Sequence, residues 1–183
     1  MIRLFVGLEI PDSVKDKIQS LPKHLPGAFW KSAEKLHLTL RFIGNVEEPT
    51  ADDIVRELRY IRFPAFRLGL KELGYFAIGD SPHHLWTGVD DKKDVAALAD
   101  KIDNAVKKAG GGMNDKFKFM PHVTLAKLQG TTIHSVLHYM EQNNLFKSDS
   151  WLVDSFVLFS SHARAHGDGK NYRVEAQFPL SLV

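Results

Sequence analysis

Leu36-His37-Leu38-Thr39-Leu40 has an echo 85 residues later, Pro121-His122-Val123-Thr124-Leu125. Side chains on a β-strand point alternately to opposite faces. His37 and Thr39 therefore share one face and Leu36, Leu38 and Leu40 the other. The second copy obeys the same rule, with His122 and Thr124 opposite Val123 and Leu125. Each stretch reads as a strand that buries its aliphatic face and presents a histidine and a threonine outward. A single His-x-Thr would be an ordinary surface or hydrogen-bonded strand feature. Two copies in the same aliphatic phase predict that the outward faces meet across a cleft.

The surrounding pattern predicts an α+β fold of two similar lobes. Ile2 to Ile10 is rich in β-branched and aromatic residues and reads as a strand that Pro11 stops. A helix follows, with Asp12 or Ser13 as cap and Val14, Ile18 and Leu21 on one face. The first histidine strand is expected from Lys35 to Ile43, ending at Gly44-Asn45. Ile54, Val55, Leu58 and Ile61 then repeat at helical spacing. Phe66 to Leu73 and His84 to Val89 read as strands joined by a turn-rich link from Gly74 to Pro82. Val95, Leu98, Ile102, Ala105 and Val106 form another helical stripe, closed by the glycines at 110–112. Phe117 and Phe119 lead into the second histidine strand. Gly130-Thr131-Thr132 caps a further helix carrying Ile133, Val136, Leu137 and Met140. Trp151 to Phe159 and Tyr172 to Phe178 are the last strands. Between them a polar loop carries His162, Arg164, His166 and Lys170. Each half thus holds a histidine strand with a helix before it and a helix directly after it. Antiparallel sheets lining a central groove, with helices outside and a pseudo-twofold relation between the lobes, are expected within a single domain spanning 1–183.

Composition narrows the function classes. The chain of 183 residues is 44% hydrophobic and 25% charged, as an ordinary globular protein is. Its formal charge of +2, with 9 histidines uncounted, permits a locally basic groove without demanding a nucleic-acid partner. It has no cysteine, so disulfides, thiolate metal sites and cysteine nucleophiles are excluded, and a cytoplasmic setting is expected. The apolar start, Met1 to Leu8, is too short for a secretory signal. No run approaches the ~20 apolar residues of a membrane span.

Three chemistries use paired histidines. Metal binding would draw on His83-His84 or on His162 and His166, but the latter pair lies in a loop rich in Gly and Arg, without the helix and glutamate of a zinc protease. A serine triad lacks its Gly-x-Ser-x-Gly elbow. Paired general acid–base catalysis fits best. One neutral imidazole takes a proton from the attacking oxygen and the other, protonated, gives one to the leaving oxygen. Two threonine hydroxyls then donate hydrogen bonds to the phosphoryl oxygens on which charge develops. That scheme needs no metal and no cofactor.

His37-Leu38-Thr39-Leu40 and His122-Val123-Thr124-Leu125 resemble the paired His-x-Thr motifs of the two-histidine phosphoesterases. The flanks, including Arg41-Phe42-Ile43-Gly44, Leu85-Trp86-Thr87-Gly88-Val89, Tyr172 and Phe178-Pro179-Leu180, look most like the RNA 2′,3′-cyclic phosphodiesterases, also called 2′-5′ RNA ligases. The resemblance implies hydrolysis of an RNA 2′,3′-cyclic phosphate to a 2′-phosphomonoester, with 2′-5′ ligation as the reverse reaction. By position His37 would be the proton donor, His122 the proton acceptor, and Thr39 and Thr124 the phosphate ligands. Lys127 stands where the family often has arginine and would also bind substrate, without the planar fork. Arg41 shares the phase of His37 and Thr39; it either faces the groove or is a solvated strand-end charge. Phe42 and Trp30 either stack on a base or pack in the core. RNA ends or small cyclic-phosphate nucleotides are the expected partners, and a monomer is expected. Two other functions remain open at this point: a non-catalytic module that binds RNA ends, and a phosphodiesterase acting on a small nucleotide such as ADP-ribose cyclic phosphate.

Overall fold

In the computed structural model, described over residues 1–112, 118–163 and 170–182, the first strand β1 (Ile2–Glu9) leads into helix α1 (Asp12–Gln19). Pro11 occupies the N-cap and no side chain caps this helix, so neither Asp12 nor Ser13 plays that part. Short β2 (Ala28–Trp30) and a 3₁₀ turn (Ala33–Lys35) precede β3 (His37–Val46), which runs through Gly44-Asn45 rather than ending there. Helix α2 (Glu48–Arg59) follows, then β4 (Phe66–Leu68), β5 (Leu70–Ile78) and β6 (Ser81–Val89). Helix α3 (Lys93–Lys108), β7 (Val123–Leu128), helix α4 (Ile133–Gln142), β8 (Trp151–Val153), β9 (Ser155–Ala163) and β10 (Lys170–Pro179) complete the described elements.

Two expected single strands are each split in two. Gly69 separates β4 from β5 and Asp154 separates β8 from β9, and the two short pieces, β4 and β8, pair with each other as a separate ribbon. Gly74 to Pro82 is mostly strand, since β5 continues to Ile78 and turns at Gly79-Asp80. The expected polar loop is strand at both of its ends. His162 lies in β9 and Lys170 begins β10, while Arg164 and His166 lie outside the described residues, as does Phe117.

The main sheet runs β10-β9-β1-β3-β7-β6-β5, with β2 on β7, and its named pairings are all antiparallel. Its halves meet at one registered pair, Leu38 with Val123. Both residues are fully buried, and they share the core with Ile18, Ile54, Leu58, Leu98, Ile102 and Val136 from the four helices. The helices therefore cover one face of the sheet. Each fully buried aliphatic contributes about 1.5–3 kcal/mol on this face, which locks the phase of both histidine strands. The opposite face is left for the groove.

Candidate active site

Leu38 opposite Val123 sets the geometry of the centre. Carrying that antiparallel register one residue each way places His37 across from Thr124 and Thr39 across from His122. The four side chains form a pseudo-twofold square about a buried aliphatic pair. All four line one cavity of about 230 Å³, together with Lys31, Phe5, Phe42, Ser161 and Tyr172. His122 itself stands one residue ahead of β7.

Both rings are held the same way. His37 Nδ1 lies 2.9 Å from the carbonyl oxygen of Lys35, and His122 Nδ1 lies 2.7 Å from that of Met120. A carbonyl can only accept, so each Nδ1 carries a proton and donates it. Each Nε2 is thereby left to act as the base when the ring is neutral and as the acid when it is protonated. Each ring also sits in an aromatic frame. Phe5 and Tyr172 lie 4.9 and 5.1 Å from His37 between centroids, and Phe76 stands edge-on 5.0 Å from His122. Trp86 extends the second frame. Its ring lies against Gly74, where a Cβ would come within 2.3 Å of it, so only glycine fits there.

These frames strip water from the imidazoles. Burial, aided by the Lys31 ammonium, pushes the His37 pKa down to about 4. Burial also lowers His122; the Nδ1 bond to Met120 opposes this and Lys31 adds to it. Lys31 is itself lowered by burial, with Lys35 adding to the effect. Without a bound anion both imidazoles are therefore neutral near pH 7. An anion placed between them would supply the counter-charge that makes protonation of one ring favourable.

Lys31 is one member of the site that the sequence reading missed. It follows β2, its amide donating to the Leu125 carbonyl at 2.8 Å, and its charge acts on both His37 and His122. The sequence signal available was a lone lysine after an aromatic pair, which says nothing of its neighbours 90 residues on. Ser161, also missed, lines the same cavity with its Oγ buried and without a hydrogen-bond partner among the described residues.

A pair of matching bulges decides the remaining residues. β1 pairs Gly7 with Thr39 but Val6 with Arg41, so Leu40 is the extra residue in β3. β6 pairs Trp86 with Thr124 but Leu85 with Ala126, so Leu125 is the extra residue in β7. Each bulge lies three residues after its histidine and reverses the alternation beyond it. Arg41 is consequently turned inward and is only 3% exposed. Its Nε donates to Asp103 on α3 at 2.7 Å and its other nitrogens to the carbonyls of Phe42 and Gly112. It neither faces the groove nor is solvated. Phe42 is turned outward, 66% exposed, onto the cavity rim. Trp30 packs against Tyr139 with the Lys23 ammonium over its ring.

Lys127 occupies the place in β7 that Phe42 occupies in β3. The reversal returns it to the face of His122 and Thr124, exposed, but outside the lining of the cavity. It lies opposite Phe29 of β2 and His84 of β6.

Comparison with known proteins gives one consistent set of matches. Residues 10–165 match the 2′-5′ RNA ligase superfamily. A Thermotoga maritima protein named RNA 2′,3′-cyclic phosphodiesterase is 33% identical over the whole of this chain and 98% of its own length. An Archaeoglobus fulgidus protein of the same name is 30% identical over 70% of this chain and 73% of its own. Among solved structures, E. coli LigT complexed with 3′-AMP aligns over 98% of both chains with a TM-score of 0.79 at 24% identity. A Thermus thermophilus protein aligns over 97% of both with a TM-score of 0.78 at 22% identity. At those identities the structural matches speak for the fold.

Proposed function

The chain belongs to the 2′-5′ RNA ligase superfamily, and from that premise we propose that it is an RNA 2′,3′-cyclic phosphodiesterase working by two-histidine acid–base catalysis. The observation that carries the reading is the square of two imidazoles and two threonines around one cavity, each imidazole fixed through Nδ1, its Nε2 without a hydrogen-bond partner among the described residues.

In the proposed reaction the cyclic phosphate lies between the rings. His122 Nε2 takes a proton from water as its oxygen attacks phosphorus. The P–O3′ bond breaks on the opposite side, and O3′ takes the proton from His37 Nε2. The phosphate remains on O2′. Thr39 and Thr124 donate to the nonbridging oxygens, and the Lys31 ammonium neutralises the charge that builds there. Lys127 lies further along the groove, where it would meet a more distant phosphate. With an RNA 5′-hydroxyl in place of water, the same steps form a 2′-5′ linkage.

Burial lowers the pKa of both rings, so the assignment of donor and acceptor follows the family resemblance. His37 requires the bound anion to become an acid. Incubation of a cyclic-phosphate-ended RNA with the protein in excess EDTA tests the reading. The expected product carries a 2′-phosphate only. A 3′-phosphate, or no turnover, would reject it.

A further inference from the structure

The register of four neighbouring strands places Phe29, Lys127, His84 and Phe76 in one row across β2, β7, β6 and β5. Directly opposed residues of antiparallel strands project from the same face, so the row lies on the face of His122. Phe29 is 62% exposed although it is a large aromatic on a strand, and Lys127 and His84 are exposed beside it. The row carries positive charge: Lys127 stands within it, and the charges of Lys31 and Lys127 both act on His84. It is also continuous with the active site. Phe76 touches the His122 ring, and a hollow of about 730 Å³ bounded by Phe76, Lys118 and Met120 shares His122 with the catalytic cavity.

Hydrolysis of a cyclic nucleotide gives such a row no task. The attacking and leaving oxygens lie on opposite sides of phosphorus. If His37 serves O3′, the ribose that bears the cyclic phosphate lies toward β1, β3, β9 and β10, where Phe42 and Tyr172 line the cavity. The His122 side then receives the nucleophile, and water needs neither aromatic faces nor a lysine set between them. Aromatic planes interleaved with positive charge are the means by which single-stranded RNA is held without regard to sequence.

We propose that this row and the hollow beside His122 form a docking strip for a second RNA end, one bearing a 5′-hydroxyl. The terminal nucleoside occupies the hollow with its 5′-oxygen at His122 Nε2, and the following nucleotides lie over Phe76, His84, Lys127 and Phe29. His122 takes the 5′-hydroxyl proton as the P–O5′ bond forms. The P–O3′ bond breaks, O3′ takes its proton from His37, and the product is a 2′-5′ linkage. The strip favours joining over hydrolysis by raising the acceptor concentration at the phosphorus. This inference rests on the acid–base reading of the two histidines.

The test measures the ratio of joined to hydrolysed product from a short cyclic-phosphate donor and a 5′-hydroxyl trinucleotide labelled at its 3′ end. Wild type is compared with Phe29→Ala, His84→Ala and the double variant, all at exposed positions. The double variant is expected to lower the ratio roughly tenfold, the scale of losing one base–aromatic stack, and to weaken trinucleotide binding, read by anisotropy, to a similar degree. An unchanged ratio with unchanged binding would overturn the proposal. So would a loss confined to hydrolysis of long cyclic-ended donors with cyclic mononucleotides unaffected, since the row would then hold the donor strand. If wild type opens no cyclic phosphate at all, the acid–base reading fails instead, and anisotropy alone decides the strip.

Discussion

An anion in the pocket should move the His37 pKa upward by a readable amount. Its value without one, about 4, means that roughly one ring in a thousand is protonated at pH 7. At the ordinary histidine value of about 6.5 the fraction would be about one in four. The proposed acid is almost never protonated in that state, so the proposal requires the substrate to repair the deficit. The causes of the shift indicate how. Burial within the frame of Phe5, Phe159 and Tyr172 is the larger and the Lys31 charge the next. A bound sulfate, dianionic across the range tested, answers the ammonium and hydrogen-bonds to Nε2–H. The assay is a two-dimensional NMR titration of the imidazole from pH 3.5 to 8 with and without saturating sulfate. We expect a midpoint near 4 without sulfate and one higher by about a unit or more with it. Lys31→Met should raise the sulfate-free midpoint part of the way toward 6.5, burial remaining, and should weaken sulfate binding. A free His37 that already titrates at 6.5, or one that sulfate leaves unmoved, would refute the electrostatic account of this site.

Other consequences follow from the same contacts. Because the folded His37 pKa lies below its unfolded value, the unfolded chain binds the extra proton. The corresponding stability should be present above about pH 6.5 and be lost as pH falls toward 4, amounting to about 2–3 kcal/mol by urea unfolding; His37→Asn should flatten that part of the curve. Arg41→Met leaves Asp103 with Lys107 alone and removes the bonds to two carbonyls. It should cost about 2–4 kcal/mol in the same unfolding assay and reduce turnover by loosening the bulge that aims Phe42. Gly74→Ala would drive a methyl into the Trp86 ring. A cost of about 1–3 kcal/mol and a change in near-ultraviolet circular dichroism are expected, with His122 disturbed through its contact with Trp86.

The paired His-x-Thr strands were legible because each repeats an alternation that burial enforces. Leu36, Leu38, Leu40, Val123 and Leu125 are all at most 3% exposed, while each His and Thr stays half-buried on the other side. That alternation ends at Leu40 and Leu125. A bulge adds a residue without changing composition, so Arg41 looked in phase with His37 although it is turned into the core. In β7 the adjacent apolar pair Leu125-Ala126 was a visible break in the pattern. In β3 the same break is masked by a buried arginine whose partner, Asp103, lies 62 residues away. Lys31 escaped notice for a related reason. Its importance comes from the pairing of β2 with β7, a contact that no local pattern announces. Splitting of the expected strands at Gly69 and Asp154 likewise depends on β4 finding β8 across the chain.

The most direct test of the whole account is turnover of a 2′,3′-cyclic nucleotide in excess EDTA by wild type, His37→Ala, His122→Ala and the double variant. Wild type should remain active. Each single variant should lose at least roughly 100-fold in kcat, the scale of a general acid or base, and the double variant should lose far less than the product of the two, because the rings act as a unit. Full activity in either single variant, or activity in wild type that EDTA abolishes, would contradict it.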